Sequence, residues 1–213
     1  ENLSFMVGKA SDRAFDDFIQ TLRKAKALAG IGNPDRYPFA LLKTVVKNFE
    51  DVEAENGKPT ILVAMQRTDH SFLGVQALSV KAHRIQELSR FYRIILIESG
   101  GNQELLERFN GLKEKGIIKE GSMAACIIGS HADRFYAAVG LYSFNVQDVA
   151  RAISGFFQKN GKSKLILSAC NAGKGEGEEG NLANFLQLHL PHVEVAACSD
   201  YQTGLEFELD EKG

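Results

Sequence analysis

The sequence predicts an α/β protein in which helices cover both faces of a mostly parallel sheet, so that three layers form an α/β/α sandwich. The first observation is a set of short apolar runs, typical of buried strands, at residues 60–65, 93–98, 123–130, 165–170 and 193–198. The second is that stretches with apolar residues three and four positions apart, which favour helices, separate these runs. The third is that glycine-rich turn signals follow several of the runs.

The stretches between the runs predict helices at residues 72–90, 105–112, 145–158 and 181–189. Asn145 and Asp148 are a predicted cap pair at the start of the third helix. Right-handed crossovers would place the last two helices on the sides of the sheet. Residues 204–209 alternate between polar and apolar side chains, which predicts an edge strand.

The chain divides into two predicted parts. Residues 1–57 contain two amphipathic stretches, interrupted by Pro34 and Pro38, and they predict an N-terminal helical extension. Residues 58–213 carry the strand-like runs and predict a single α/β domain.

The composition restricts the classes of function. The 213 residues are 44% hydrophobic and 24% charged with a net charge of −2, which is typical of a globular protein. This charge gives no general basic field that would favour nucleic acid, and no run approaches the roughly 18 apolar residues of a membrane span. Three cysteines without a C-x-x-C pair predict a reducing, cytoplasmic compartment and no structural zinc.

A cysteine and a histidine end two of the strand-like runs. Cys170 closes the run 165–170 and is followed at once by a glycine-rich loop, whereas His131 comes directly after the run 123–130. Parallel strands of open α/β sheets carry their sites at the carboxyl edge. A thiol and an imidazole at this edge are the two parts of a cysteine-nucleophile site, because a histidine can take or supply the proton of the thiol.

The remaining cysteines and histidines have plainer interpretations. Cys126 and Cys198 lie inside strand-like runs, which favours packing in the core. His70, in the loop after the first run, is the alternative histidine for the site. Asp133 follows His131 by two positions and is a candidate to orient it.

The order strand–His131, helix, strand–Cys170 and glycine-rich loop resembles the caspase-like cysteine peptidases of clan CD. This group includes caspases, clostripain, separase, the self-cleaving domains of large bacterial toxins, and CHAT domains. Leu165-Ile-Leu-Ser-Ala-Cys170-Asn-Ala-Gly is similar to the segment around the nucleophile of CHAT-type members, and residues 175–183 are similar to the stretch that opens their next helix.

The resemblance implies a caspase–hemoglobinase-like fold and a cysteine endopeptidase with Cys170 as nucleophile, His131 as its partner and no cofactor. Oxyanion stabilisation would come from the backbone N–H groups of Cys170 and Ala132. The family usually has glycine where Ala132 stands. The resemblance also implies a protein or peptide substrate, leaves open an activating ligand or partner, and suggests a bacterial effector or toxin domain that acts in a host cytosol.

Three charged residues are candidates for the substrate pocket. By resemblance to arginine-specific members, Asp200, after the fifth run, would accept a basic side chain, and Asp69 is a second candidate. By resemblance to caspases, Arg67 would instead accept an acidic one.

Two alternatives to an active peptidase stay open. Ala132 also fits a catalytically inactive caspase-like interaction or regulatory module. A Rossmann-like small-molecule-binding protein with an incidental Cys170 is the third hypothesis.

Overall fold

The computed structural model describes residues 57–66, 91–143, 145–175 and 180–200. Its elements, in chain order, are β1 Thr60–Gln66, β2 Arg93–Ser99, α1 Asn102–Glu114, β3 Met123–Gly129, β4 Tyr136–Ala137, β5 Leu141–Tyr142, α2 Val146–Ser154, β6 Lys164–Ser168, α3 Leu182–His189 and β7 Glu194–Ala197. The predicted helices within 1–57 and at 72–90, and the predicted strand at 204–209, lie outside the described residues.

Five strands form a parallel sheet in the order β2-β1-β3-β6-β7. The α/β class and the parallel sheet are therefore confirmed, and each strand lies within or close to a predicted apolar run. The chain continues from β1 to one neighbour, β2, and later crosses to the other side of β1 to form β3. Such a reversal of strand order opens a crevice at the carboxyl ends of β1 and β3, where open α/β sheets bind ligands.

The three described helices form one layer. Helix α1 packs against β2 and α2, α2 packs against α3, and α3 packs against β7. The steps from β2 to β3, β6 and β7 all run in one direction across the sheet, so right-handed crossovers leave these helices on one face. Every second residue of the strands points to this face and packs against apolar residues of the helices. The core on this face includes Leu62, Ile95, Cys126, Leu165, Leu105, Phe109, Val149 and Leu186.

The other face of the sheet is also apolar. Ile61, Val63, Ile94 and Ile127 alternate with the residues of the first face, and all four side chains are buried. A sheet that is apolar and buried on both sides is typical of parallel α/β folds.

Helix α2 is shorter than predicted. It buries Val146, Val149, Ala150 and Ile153 but ends at Gly155. The apolar pattern continues into Phe156 and Phe157, and both are buried. Phe157 nevertheless forms an isolated parallel bridge with Met123, so its burial comes from the start of β3 rather than from a helical face.

The predicted side-chain cap by Asn145 and Asp148 is wrong. Asn145 occupies the N-cap position of α2 without a side-chain cap bond. Its Oδ1 accepts instead from the N–H of Tyr142 at 2.8 Å, and its Nδ2 donates to the carbonyl of Gly140 at 3.0 Å. The side chain is thus used to close the turn before the helix, where it supplies partners for two backbone groups.

Candidate active site

The carboxyl ends of β3 and β6 bring the two predicted catalytic positions to the same level of the sheet. The last five residues of β3 each pair with the residue 39 positions later in β6, from Ala125 with Lys164 to Gly129 with Ser168. The N–H of Ser130 still donates to the carbonyl of Ser168 at 3.2 Å beyond the last pair. Continued at this register, His131 stands at the position equivalent to Cys170. The backbones of neighbouring strands are about 4.8 Å apart, and both residues follow within two positions of the ends of their strands.

The pairing of β6 with β7 relates Asp200 to the level of Cys170 in the same way, and we call the positions of His131, Cys170 and Asp200 a row. Residues of β6 pair with residues 30 positions later in β7, from Lys164 with Glu194 to Leu167 with Ala197, which makes Asp200 the equivalent of Cys170. The chain turns after Cys170, and the N–H of Asn171 donates to the carbonyl of Asp200 at 3.0 Å. Asp200 is therefore next to the loop that carries the thiol.

The loop after Cys170 is fixed against the end of β7. The N–H of Gly173 donates to the carbonyl of Cys198 at 2.9 Å. A Cβ built on Gly173 would lie 3.0 Å from the carbonyl oxygen of Ala197, so glycine permits this close approach. Asn171 has a φ of 56°, the left-handed region that asparagine tolerates better than most residues, and it turns the chain directly after the thiol.

The three cysteines differ in their surroundings. Cys126 is fully buried in the core, as predicted, and burial raises the pKa of its thiol from 9.0 to about 12. Cys170 is half-buried at the carboxyl edge. Cys198 is also half-buried and lies just beyond β7. The prediction that Cys198 packs inside a strand is wrong, because the strand ends one residue earlier, where the chain turns to meet Gly173.

His131 is exposed, and its backbone is held in place by two hydrogen bonds. Its carbonyl accepts from the hydroxyl of Ser130 at 2.8 Å and from the N–H of Ala138 at 2.8 Å. Asp133, the candidate to orient this histidine, uses Oδ1 differently. This oxygen accepts from the N–H groups of Phe135 and Tyr136 at 2.8 and 3.0 Å, so it closes the turn that follows.

The N–H of Ala132 is not one of the groups that join the two short antiparallel stretches after His131. Ala132 and Ala137 form an antiparallel bridge, and the flanking hydrogen bonds join Asp133 to Tyr136 and Ala138 to His131. This is the non-hydrogen-bonded type of pair, in which the N–H of Ala132 points away from the partner strand. Among the described non-glycine residues only Asn171 has a positive φ, so the backbone at Ala132 does not require glycine.

The segment 131–143, which we call the hairpin segment, was not predicted from the sequence. It contains the two-residue strands β4 and β5 and connects the two halves of the site. The Nε of Arg134 donates to the carbonyl of Gly180 at 2.7 Å, and the N–H of Leu182 donates to the carbonyl of Arg134 at 3.0 Å. The residues after His131 thereby hold the far end of the loop that begins at Cys170.

The other predicted residues cannot be placed beside this row. Arg67, Asp69 and His70 lie outside the described residues, as do residues 176–179 of the glycine-rich loop. Within the described ranges, no group of three or more His, Cys, Asp or Glu side chains is arranged to hold a metal ion. No helix of the same ranges is both long enough and apolar enough to cross a membrane.

Comparisons of the chain with protein-family models, with curated proteins and with solved structures gave no match. The functional argument therefore rests on the residues and their register.

Proposed function

We propose that the chain is a cysteine endopeptidase in which Cys170 and His131 form a catalytic dyad. The observation that carries this proposal is the common register of the two residues beyond the ends of neighbouring parallel strands. A half-buried thiol and an exposed imidazole at adjacent positions are suited to nucleophilic catalysis, since the thiolate is the reactive form and a histidine can stabilise it.

The proposed reaction has two halves. The Cys170 thiolate attacks the scissile carbonyl, a C–S bond forms, and the tetrahedral intermediate collapses with cleavage of the C–N bond. The His131 imidazolium gives its proton to the leaving amine, which leaves a thioester on the enzyme. In the second half His131 takes a proton from water, the hydroxide displaces the thiol from the carbonyl, and the carboxylic product leaves.

Ala132 supplies one proposed oxyanion donor. Its N–H points away from the hairpin ladder and lies next to His131, so it is positioned to meet the negative oxygen of the intermediate. The N–H of Cys170 is the second proposed donor. Asp200, whose carbonyl accepts from the N–H of Asn171 in the loop after Cys170, is the proposed acceptor for a basic substrate side chain; Asp69 and Arg67 remain alternatives.

The proposed fold around this site is a three-layer, caspase-like domain that spans residues 58–213, after an N-terminal helical extension in 1–57. The support for a third layer is the burial of Ile61, Val63, Ile94 and Ile127 on the face of the sheet opposite the described helices. The proposed partner is a peptide or protein substrate in a reducing compartment, which fits a cytoplasmic protein or a bacterial effector or toxin domain.

The test compares the intact protein with Cys170→Ala and with the control Cys198→Ala, which removes another half-buried thiol at the same edge. Each is incubated with a mixed peptide library, and the cleavage sites are identified by mass spectrometry. We expect the intact protein and Cys198→Ala to cleave, and Cys170→Ala to lose all cleavage above background. Equal cleavage by Cys170→Ala would overturn the dyad.

Ala132 favours a second candidate, a catalytically inactive interaction or regulatory module, because the caspase-like peptidases that the sequence resembles usually carry glycine there. Alkylation with iodoacetamide separates the candidates independently of substrate. A catalytic Cys170 should be modified faster than Cys198, because proximity to His131 favours the thiolate. Equal modification of both cysteines, together with no cleavage, would support the inactive module.

A further inference from the structure

The hairpin segment presents tyrosine side chains on the same face as His131. The bridge between Ala132 and Ala137 sets the register, and the side chain of Ala137 is buried. Because side chains alternate across an extended chain, His131 and Tyr136 face outward. Tyr142 is the partner of Tyr136 across β4 and β5, and their ring centroids are 4.7 Å apart.

This tyrosine pair is an accessible aromatic surface. Tyr142 is 38% exposed, although its neighbour Leu141 is fully buried. The described part of the chain has four exposed large hydrophobic or aromatic side chains, and two of them, Phe135 and Tyr142, lie in the short segment directly after His131. Exposed aromatic rings that lie close together on a surface are suited to binding an apolar group.

The chemistry of the proposed dyad determines which part of a substrate would contact the tyrosine pair. His131 has to reach the leaving amine, so the residue that follows the scissile bond must pass beside His131. In the pairing of the hairpin segment, Tyr136 lies diagonally across from His131, a separation of about 7–8 Å that an aromatic side chain can span.

We propose that Tyr136 and Tyr142 bind the side chain of the substrate residue that follows the scissile bond, and that they select an aromatic or large apolar side chain there. This inference rests on the proposed peptidase function. It concerns the leaving-group side of the substrate and is independent of the pocket charge at Asp200.

The test measures kcat/KM for two peptides that are identical except for phenylalanine or serine after the scissile bond. The peptide sequence is taken from the sites found with the library. We expect the intact protein to prefer phenylalanine by about tenfold, the size of one aromatic contact with its burial. Tyr142→Ala should remove most of this preference, so that the kcat/KM values of the two peptides approach each other.

Two variants serve as controls. Tyr142→Phe keeps the ring and should keep the preference for phenylalanine. Leu188→Ala removes another exposed apolar side chain, 74% exposed at the far end of α3, and should leave both peptides unaffected. Thermal unfolding of each variant checks that the fold is retained, and Tyr136→Ala gives an independent reading of the same surface.

The outcomes are distinguishable. Cleavage of both peptides with an unchanged preference in Tyr142→Ala and Tyr136→Ala would overturn this inference and leave the peptidase intact. Absence of cleavage by the intact protein, together with no selective alkylation of Cys170, would overturn the proposed function and this inference with it.

Discussion

Cys126 lies on β3 and Cys170 follows the neighbouring strand β6. The burial of each thiol determines whether its thiolate can form. Cys126 lies in the middle of β3, where burial raises the pKa of its thiol to about 12, so a thiolate does not form there near neutral pH. Cys170 lies two residues beyond β6 and is half-buried. Of these two cysteines, only Cys170 is therefore compatible with the proposed nucleophilic role.

The raised pKa of Cys126 predicts a loss of stability at high pH. Above pH 9 the unfolded chain releases the thiol proton and the folded protein does not, because its pKa is about 12. The free energy of unfolding should then fall with increasing pH by about 1.4 kcal/mol per unit between pH 9 and 12. Other groups also titrate in this range, so the measurement is the difference between two variants.

Denaturant unfolding at pH 8 and pH 10.5 should show a loss about 2 kcal/mol larger for the intact protein than for Cys126→Ala. The Cys126→Ala variant starts from a lower stability, because it leaves a small cavity in the core. Cys198→Ala is the matched control and should keep the steep pH dependence. The same slope in the intact protein and in Cys126→Ala would contradict the assignment.

At the scale of elements, the hairpin segment makes one especially close contact with a helix. Gly140 lies in the turn between β4 and β5 with a φ of 84°. A Cβ on this residue would lie 2.0 Å from the backbone nitrogen of Asn102, at the start of α1. The turn therefore packs directly onto the backbone of α1, and glycine is needed for both conformation and space.

Gly140→Ala should destabilise the protein by about 3 kcal/mol or more, since it combines a left-handed backbone with a clash against backbone atoms. Gly161→Ala is the matched control, because Gly161 has a φ of 72° but nothing within 4 Å of its Cβ position. That control should cost about 1–2 kcal/mol. Thermal or denaturant unfolding measures both, and equal losses would show that the packing against α1 is loose.

The sequence was sufficient to predict the long buried strands but not the short ones. The apolar runs predicted β3 and β6 and the positions of His131 and Cys170 beyond them, because buried parallel strands need continuous apolar side chains. The hairpin segment was not predicted, since β4 and β5 have two residues each and such short strands give no periodicity. Its best signal was the turn around Gly140, which a single sequence does not distinguish from an ordinary loop.

The register that relates His131, Cys170 and Asp200 could not be predicted from the sequence either. Apolar runs predict that strands exist, but strand order and register depend on contacts between segments far apart in the chain. The row follows from two pairings, β3 with β6 and β6 with β7. The sequence predicted Cys170 and His131 as a pair, and Asp200 as a pocket residue, partly from their positions after strand-like runs, but it contained no signal for the register between these strands.

At the scale of the whole molecule, the sheet changes from a fully buried centre to a partly covered edge. Strand β3 is paired on both sides and buries Cys126, Ile127 and Ile128. Strand β7 lies at one edge of the described sheet, opposite β2, and its residues are half-buried or exposed. An edge of this kind presents unpaired N–H and C=O groups, which proteins commonly cover.

Gln187 covers part of this edge. Its Oε1 accepts from the N–H of Val195 in β7 at 3.1 Å, and its Nε2 donates to the carbonyls of Leu190 and Val193 at 3.1 and 3.0 Å. A side chain of α3 thus takes the place of a neighbouring strand and fixes the chain between α3 and β7. The site depends on this edge indirectly, because β7 leads to Cys198 and Asp200.

The difference in pairing between β3 and β7 predicts different rates of amide hydrogen exchange in the two strands. Amides of β3 should exchange only on global unfolding, because β3 is paired on both sides and buried. The Val195 amide should be protected in the intact protein through its bond to Gln187. It should exchange much faster in Gln187→Ala, while β3 changes only in proportion to the lost global stability. Gln187→Glu keeps the acceptor oxygen and should retain most of the protection at Val195. Exchange measured residue by residue by NMR decides the matter: unaltered protection of Val195 in Gln187→Ala would mean that another segment, rather than α3, covers this edge.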